Sequence, residues 1–187
     1  MPLRMTIELE DEDLAYFRDN MQQALKRAAA LPAEEILRVA SERILDTRSA
    51  KLPNFVEERV LKVRALIEML GDEEWDLPAA ERKNVLAALV YLSEPEDLIP
   101  DEVPVLGYVD DAIMIELVVK ELKPEIDAFL DFCRYRDAAH ARTGSNDLSR
   151  DEYLTIKRRE LHQRMRRRRQ ARFSRHRSSG RPRFRLF

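Results

Sequence analysis

One cysteine, Cys133, stands in the whole chain, so no internal disulfide can form, and that usage fits a reducing compartment. Glycine is nearly as scarce, with 4 residues in 187, and none of them builds a phosphate-cradling loop. The histidines His140, His162 and His176 lie far apart and lack metal-ligand spacing with Cys133. No serine-centred elbow or zinc motif is present. Long apolar runs are missing as well. The longest, Val103 to Val119, carries Asp110, Asp111 and Glu116, and is both too short and too charged to span a bilayer. The first residues, MPLRMTIELEDEDL, have no apolar stretch of the kind a secretory signal needs. These absences point to a cytoplasmic protein without a transmembrane segment and exclude the familiar catalytic constellations.

What is abundant is charge, at 36 % of residues, together with Leu, Ala, Glu and Arg throughout. All four lose little on entering a helix, so the composition predicts an all-α protein. The periodicity predicts an irregular bundle of about six helices. Leu14, Phe17, Met21, Leu25 and Ala28 mark one face of a first helix over residues 10–30, with acids in its first turn. Pro32 opens a second, with Ile36, Ala40 and Ile44 inward, and Pro53 opens a third, with Val56, Val60, Val63, Ile67 and Leu70 inward. Asp76 and Pro78 start a fourth, carrying Val85, Leu89 and Leu92. A fifth begins near Tyr108 with Ala112, Ile113, Leu117 and Val118 inward. Pro124 kinks or restarts it, and Ile126, Phe129, Leu130 and Cys133 continue the apolar face. Ser149 and Glu152 form a capping box for a last helix that enters a basic tail and frays after Phe173.

The net charge of −2 conceals a division. Residues 157–187 hold 14 Lys or Arg against a single acid, Glu160, a net of +13. The remaining 19 bases and 34 acids give residues 1–156 a net of −15. The chain therefore reads as an acidic helical body, 1–156, followed by an arginine-rich, partly disordered tail, 157–187.

Residues 91–115 read YLSEPEDLIPDEVPVLGYVDDAIMI. Pro95, Pro100 and Pro104 forbid a helix from continuing through the stretch. Asp97, Leu98, Ile99, Pro100, Asp101, Pro104, Gly107, Asp110 and Asp111 follow the pattern D-L-I-P-D-x-x-P-x-x-G-x-x-D-D, after a tyrosine at a helix end. In this segment, residues 93–111 above all, the chain resembles the YkvA-like family, bacterial helical proteins grouped as a domain of unknown function. The resemblance implies a helical hairpin joined by a rigid, proline-rich acidic loop, and implies no reaction.

Read as residues, the segment from Asn84 to Val119 has eight acids and no Lys or Arg. One reading makes Asp97 and Asp101 turn caps and places Asp110 and Asp111 at a helix N-terminus. A second converges Asp97, Asp101, Asp110 and Asp111 on a divalent cation, Mg²⁺, Mn²⁺ or Ca²⁺, since such ions take oxygen ligands. That reading would make the protein a metal-binding protein or a metal-dependent enzyme. A third gives the acids a basic partner, the chain's own tail included.

The tail carries one lysine and thirteen arginines. Guanidinium forks fit phosphates and stack on bases. Arg164, Arg166, Arg167, Arg168, Arg169, Arg172, Arg175, Arg177, Arg181, Arg183 and Arg185, interleaved with Phe173 and Phe184, are the candidate nucleic-acid contacts, with RNA slightly favoured. An acidic protein surface or an anionic membrane surface would suit the same residues. The leading expectation is a non-enzymatic binding or adaptor protein with a polyanion-binding tail. A metal-dependent enzyme and a peripheral membrane protein are the alternatives.

Overall fold

The computed structural model describes residue 10 and residues 13–49, 54–93, 109–141 and 147–178, and all regular structure among them is helical. The elements are α1 (Asp13–Ala28), α2 (Ala33–Ser49), α3 (Asn54–Gly71), α4 (Ala79–Leu92), α5 (Val109–Glu121), α6 (Lys123–His140) and α7 (Asp147–Ser178). The all-α bundle expected from composition is what forms. The described residues hold seven helices and not six, because Pro124 restarts the chain instead of kinking it. Leu122 separates α5 from α6, donating to the Val118 carbonyl at 2.9 Å and accepting from the Ile126 N–H at 3.0 Å. Pro124 lies in the first turn of α6, where an N–H would have no helical partner.

Helix α4 is the centre, packed against α1, α2, α3 and α5. Its positions 87–91, Ala87, Ala88, Leu89, Val90 and Tyr91, are all buried, as expected of a helix enclosed on every side. The Ser93 hydroxyl closes it by donating to the Leu89 carbonyl at 2.7 Å. Around it the largest fully buried side chains, Trp75, Tyr91, Phe129, Phe132, Met21 and Leu66, belong to one core. Burying an apolar side chain of this class contributes roughly 1.5–3 kcal/mol each.

The stripes follow the periodicity with shifts. In α1, Ala24 is buried where Leu25 was expected, and Leu25 is exposed. The face advances by 4, 3 and 4 from Phe17 through Met21 and Ala24 to Ala28. In α3, Leu66 and Met69 join Val63 and Leu70 in the core, while Val60 and Ile67 are only partly buried. In α5, Ile115 and Val119 are buried with Ala112 and Val118, and Ile113 and Leu117 are half-buried. In α6, Phe132 takes the place expected of Leu130, which is exposed. The side chain of Ile44 lies outside the described residues.

The link from α3 to α4 is tightly specified. Asp76 adopts a left-handed φ of 48°, a conformation aspartate tolerates better than most residues. Asp72 Oδ1 accepts from the Trp75 N–H at 2.9 Å, and the Asp76 N–H donates to the Asp72 carbonyl at 3.1 Å. The turn places Trp75 fully inside the core, 5.9 Å from the Phe129 ring and 5.3 Å from the Phe132 ring.

Helix α7 begins at Asp147, two residues before Ser149, so the Ser149–Glu152 pair does not stand at its start. Its apolar stripe, Leu154, Leu161 and Met165, continues past Lys157 into the segment expected to be a separate tail. Helical structure persists to Ser178, beyond the fraying point expected at Phe173. The acidic body and the basic segment thus share one helix and one core.

Candidate functional site

Helices α6 and α7 pack against each other, and their ion pairs show that they run antiparallel. Arg164 pairs with Asp131, Arg168 with Asp127 at 3.4 Å, and Arg169 with Glu125, so one number falls as the other rises. Residues four apart on a helix share a face, which is why Arg164 and Arg168 meet Asp131 and Asp127. The two outer carboxylates have further cations. Asp131 also pairs with Arg134, and Asp127 with Lys123 at 2.9 Å. Burial works against the Asp131 charge, but hydrogen bonds from Arg164 and Arg134 outweigh it and hold the carboxyl below its usual range.

The inner pair is different in kind. Glu125 is fully buried, and Arg169 retains 18 % of its side-chain exposure. With its amide oxygen turned toward α7, Asn84 accepts from the same guanidinium at 2.9 and 2.6 Å. Glu81 of α4 is also buried, with Arg166 Nε 3.9 Å from its carboxylate. The second carboxylate oxygen of both Glu81 and Glu125 is buried without a hydrogen-bond partner. Burial pushes the Glu125 carboxyl up, Arg169 opposes that rise, and the neighbouring Glu81 adds to it. Two acids, two arginines and an amide therefore converge where α4, α6 and α7 meet.

Further along, α6 and α7 clasp the α3–α4 link. Arg136 donates to Asp72 at 2.7 Å and to Glu74 at 2.9 Å, and Arg158 donates to the Glu74 carbonyl at 3.0 Å. Burial disfavours the Arg136 charge, yet the hydrogen bonds it donates to Glu74 and Asp72 hold its pKa above the ordinary value. His162 sets its ring edge-on to Trp75 at 4.4 Å between centroids. Cys133 is half-buried and burial raises its thiol, so it behaves as a small hydrophobe with Arg136 Nη2 3.7 Å from its sulfur.

The His162 imidazole is pushed below its ordinary value of 6.5 by burial, then by Arg158 and Arg166, against Asp76 and Glu81. The folded pKa thus lies below the unfolded one, and between them the unfolded chain binds more protons. This group's contribution to stability is present above 6.5 and is lost as pH falls through the folded value. Glu125, raised above 4.5, contributes with the opposite sign. Urea midpoints should therefore fall less on acidification in a His162→Gln variant than in the natural chain. Equal pH slopes for the two proteins would assign the dependence elsewhere.

The candidate contacts of the tail divide. Arg164, Arg168 and Arg169 are turned onto α6. Arg166 and Arg167 are exposed, with Arg167 3.4 Å from the Gln163 amide oxygen one turn back. Arg172, Phe173, Arg175 and Arg177 stand on the last turns of α7, and their side chains lie outside the described residues. Arg181, Arg183, Phe184 and Arg185 lie outside them entirely. Of the proposed cation ligands, Asp110 and Asp111 occupy the first turn of α5, as expected. Asp97 and Asp101, with the loop 94–108, lie outside the described residues. Among the described residues no group of three or more His, Cys, Asp or Glu is placed to hold a metal ion. No helix there is long and apolar enough to cross a membrane.

Sequence reading missed Glu81, Glu125 and the pairing of Arg169. The signal was present: Glu81 lies four residues before Val85, Glu125 four before Phe129, and Arg169 four after Met165. Each charge therefore continues an apolar stripe.

Comparison with known proteins bears on the segment around α4 and α5. The family described as "Protein of unknown function (DUF1232)" matches residues 84–117. The "Uncharacterized membrane protein YkvA" of Bacillus subtilis (strain 168) is 32 % identical over 71 residues, covering 36 % of this chain and 67 % of that protein. No solved structure matches. The matched segment holds the D-L-I-P-D…D-D pattern and the buried end of α4, and on these grounds the chain belongs to the YkvA-like family.

Proposed function

We propose that the protein is a non-enzymatic adaptor that holds an anionic membrane surface through the arginines of α7 and the residues that follow it. The observation that carries this reading is the exposed run that follows Met165, the last described core residue of α7. After Met165, Arg166 and Arg167 are exposed, and Arg168 is exposed in part beside Asp127, on a helix that continues to Ser178. A basic segment fixed to a folded domain gains roughly 1 kcal/mol per residue held close to an anionic lipid surface. Phe184 and Phe187 supply apolar side chains at the end of the same segment. The name of the Bacillus subtilis relative, a membrane protein, supports lipid over other polyanions. Nucleic acid is the second reading, favoured by the thirteen arginines against one lysine in residues 157–187.

Flotation separates the two. The protein should rise with vesicles of phosphatidylcholine mixed with phosphatidylglycerol, stay down with phosphatidylcholine alone, and be released by added salt. Failure to float with either, together with retardation of an RNA in a gel at the same salt, would transfer the function to nucleic acid.

A further inference from the structure

We propose that Asp127 and Asp131 of α6 are internal competitors for the phosphates that α7 binds, holding Arg164 and Arg168 until an anionic surface displaces them. This rests on the polyanion reading of α7 and adds its regulation.

Each of the two carboxylates is shared between two cations. Arg164 and Arg134 both serve Asp131, and Arg168 and Lys123 both serve Asp127. If Arg164 and Arg168 leave, each acid keeps another cation and neither is stranded. A carboxylate and a phosphate offer a guanidinium the same planar, bidentate recognition, so the exchange replaces one charge-assisted bond with another. Exposure grades the arginines along the helix. Arg168 is 52 % exposed and its acid 33 %, and Arg164 is 37 % exposed and its acid 21 %. Arg169 and the fully buried Glu125 are neither exposed nor shared with a second cation in this way. Long arginine side chains can therefore turn outward at two positions while the third keeps α7 seated. A ligand shifts such an equilibrium only by its preference for one state, and here the preference lies in two additional phosphate contacts.

The test compares the full chain with Asp127→Asn/Asp131→Asn, using phosphatidylglycerol vesicles and, separately, inorganic polyphosphate. Freed arginines should tighten binding roughly three- to tenfold at low salt, the scale of two exposed pairs, and the gain should shrink as salt rises. Glu35→Gln/Glu58→Gln, on exposed acids of α2 and α3, makes the same change in net charge and should give a smaller gain. Adding Arg164→Gln/Arg168→Gln to the Asn variant should cancel the gain. Its persistence would assign the effect to Lys123 and Arg134 and overturn the proposal. If the double variant does not fold, Asp127→Asn alone, at the more exposed pair, should show part of the gain. A gain on polyphosphate without vesicle binding would sink the membrane reading and keep the competition. Vesicle binding unchanged by the Asn variants would do the reverse. Absence of binding to both probes by every variant would end both.

Discussion

Replacing Arg169 with methionine should lower stability by about 3–5 kcal/mol, the cost of leaving a buried carboxylate without its cation. At roughly 2–4 °C per kcal/mol for a chain of this size, the melting temperature should fall by about 6–20 °C. The acid left behind is Glu125, fully buried and already carrying one carboxylate oxygen without a partner. Asn84 would lose its donor at the same time. The variant should regain stability as pH falls. Without Arg169 the Glu125 carboxyl rises further above 4.5, and protonation removes the charge that the site can no longer hold. Glu125→Met/Arg169→Met should recover most of the loss, because an apolar pair avoids the desolvation both charges suffer. Thermal and urea unfolding of the two single variants and the double variant give the coupling between the sites. Single losses that simply add in the double variant would show that the guanidinium does not compensate Glu125.

The same residues explain what could be read from the chain and what could not. Helix positions were legible wherever proline opens a helix and apolar residues recur at steps of three and four, as at Pro32, Pro78 and Pro124. The choice between adjacent candidates, Ala24 or Leu25, Phe132 or Leu130, depends on which face the neighbouring helix covers, and one stripe cannot state that. The charged residues on the stripes were harder still. Glu81, Glu125 and Arg169 each stand where an apolar residue would fit, and each is tolerable only because the others arrive from distant segments. Summing residues 157–187 as one basic block hid this, since it treated Arg164, Arg168 and Arg169 as equivalent to Arg166 and Arg167. Helix α6 and Glu81 also supply acidic partners that the charge pattern did not single out. The described ion pairs of α7 go to α6, Glu81 and its own helix, whereas the acid-only loop 94–108 lies outside the described residues.

Where the chain is cut should therefore matter more than how many arginines are lost. Deleting residues 172–187 removes six arginines and none of the described ion pairs of α7. If only half of those six lie near an anionic surface, at roughly 1 kcal/mol each, vesicle affinity should fall about a hundredfold. Melting should stay close to that of the full chain, because the described core residues of α7, Leu154, Leu161 and Met165, and the buried pair at Arg169 are all retained. Deleting residues 166–187 instead takes Arg169 and Arg168 with the rest. Binding should then be lost, but stability should fall too, by about as much as in Arg169→Met, since Glu125 is left in the same uncompensated state. Parallel measurements of vesicle flotation and thermal unfolding on the two truncations separate anchoring from binding. If the shorter deletion leaves flotation intact, the phosphates are held by Arg166, Arg167 and the arginines that α6 releases. If the longer one melts with the full chain, the seat of α7 lies in Leu154, Leu161 and Met165 alone.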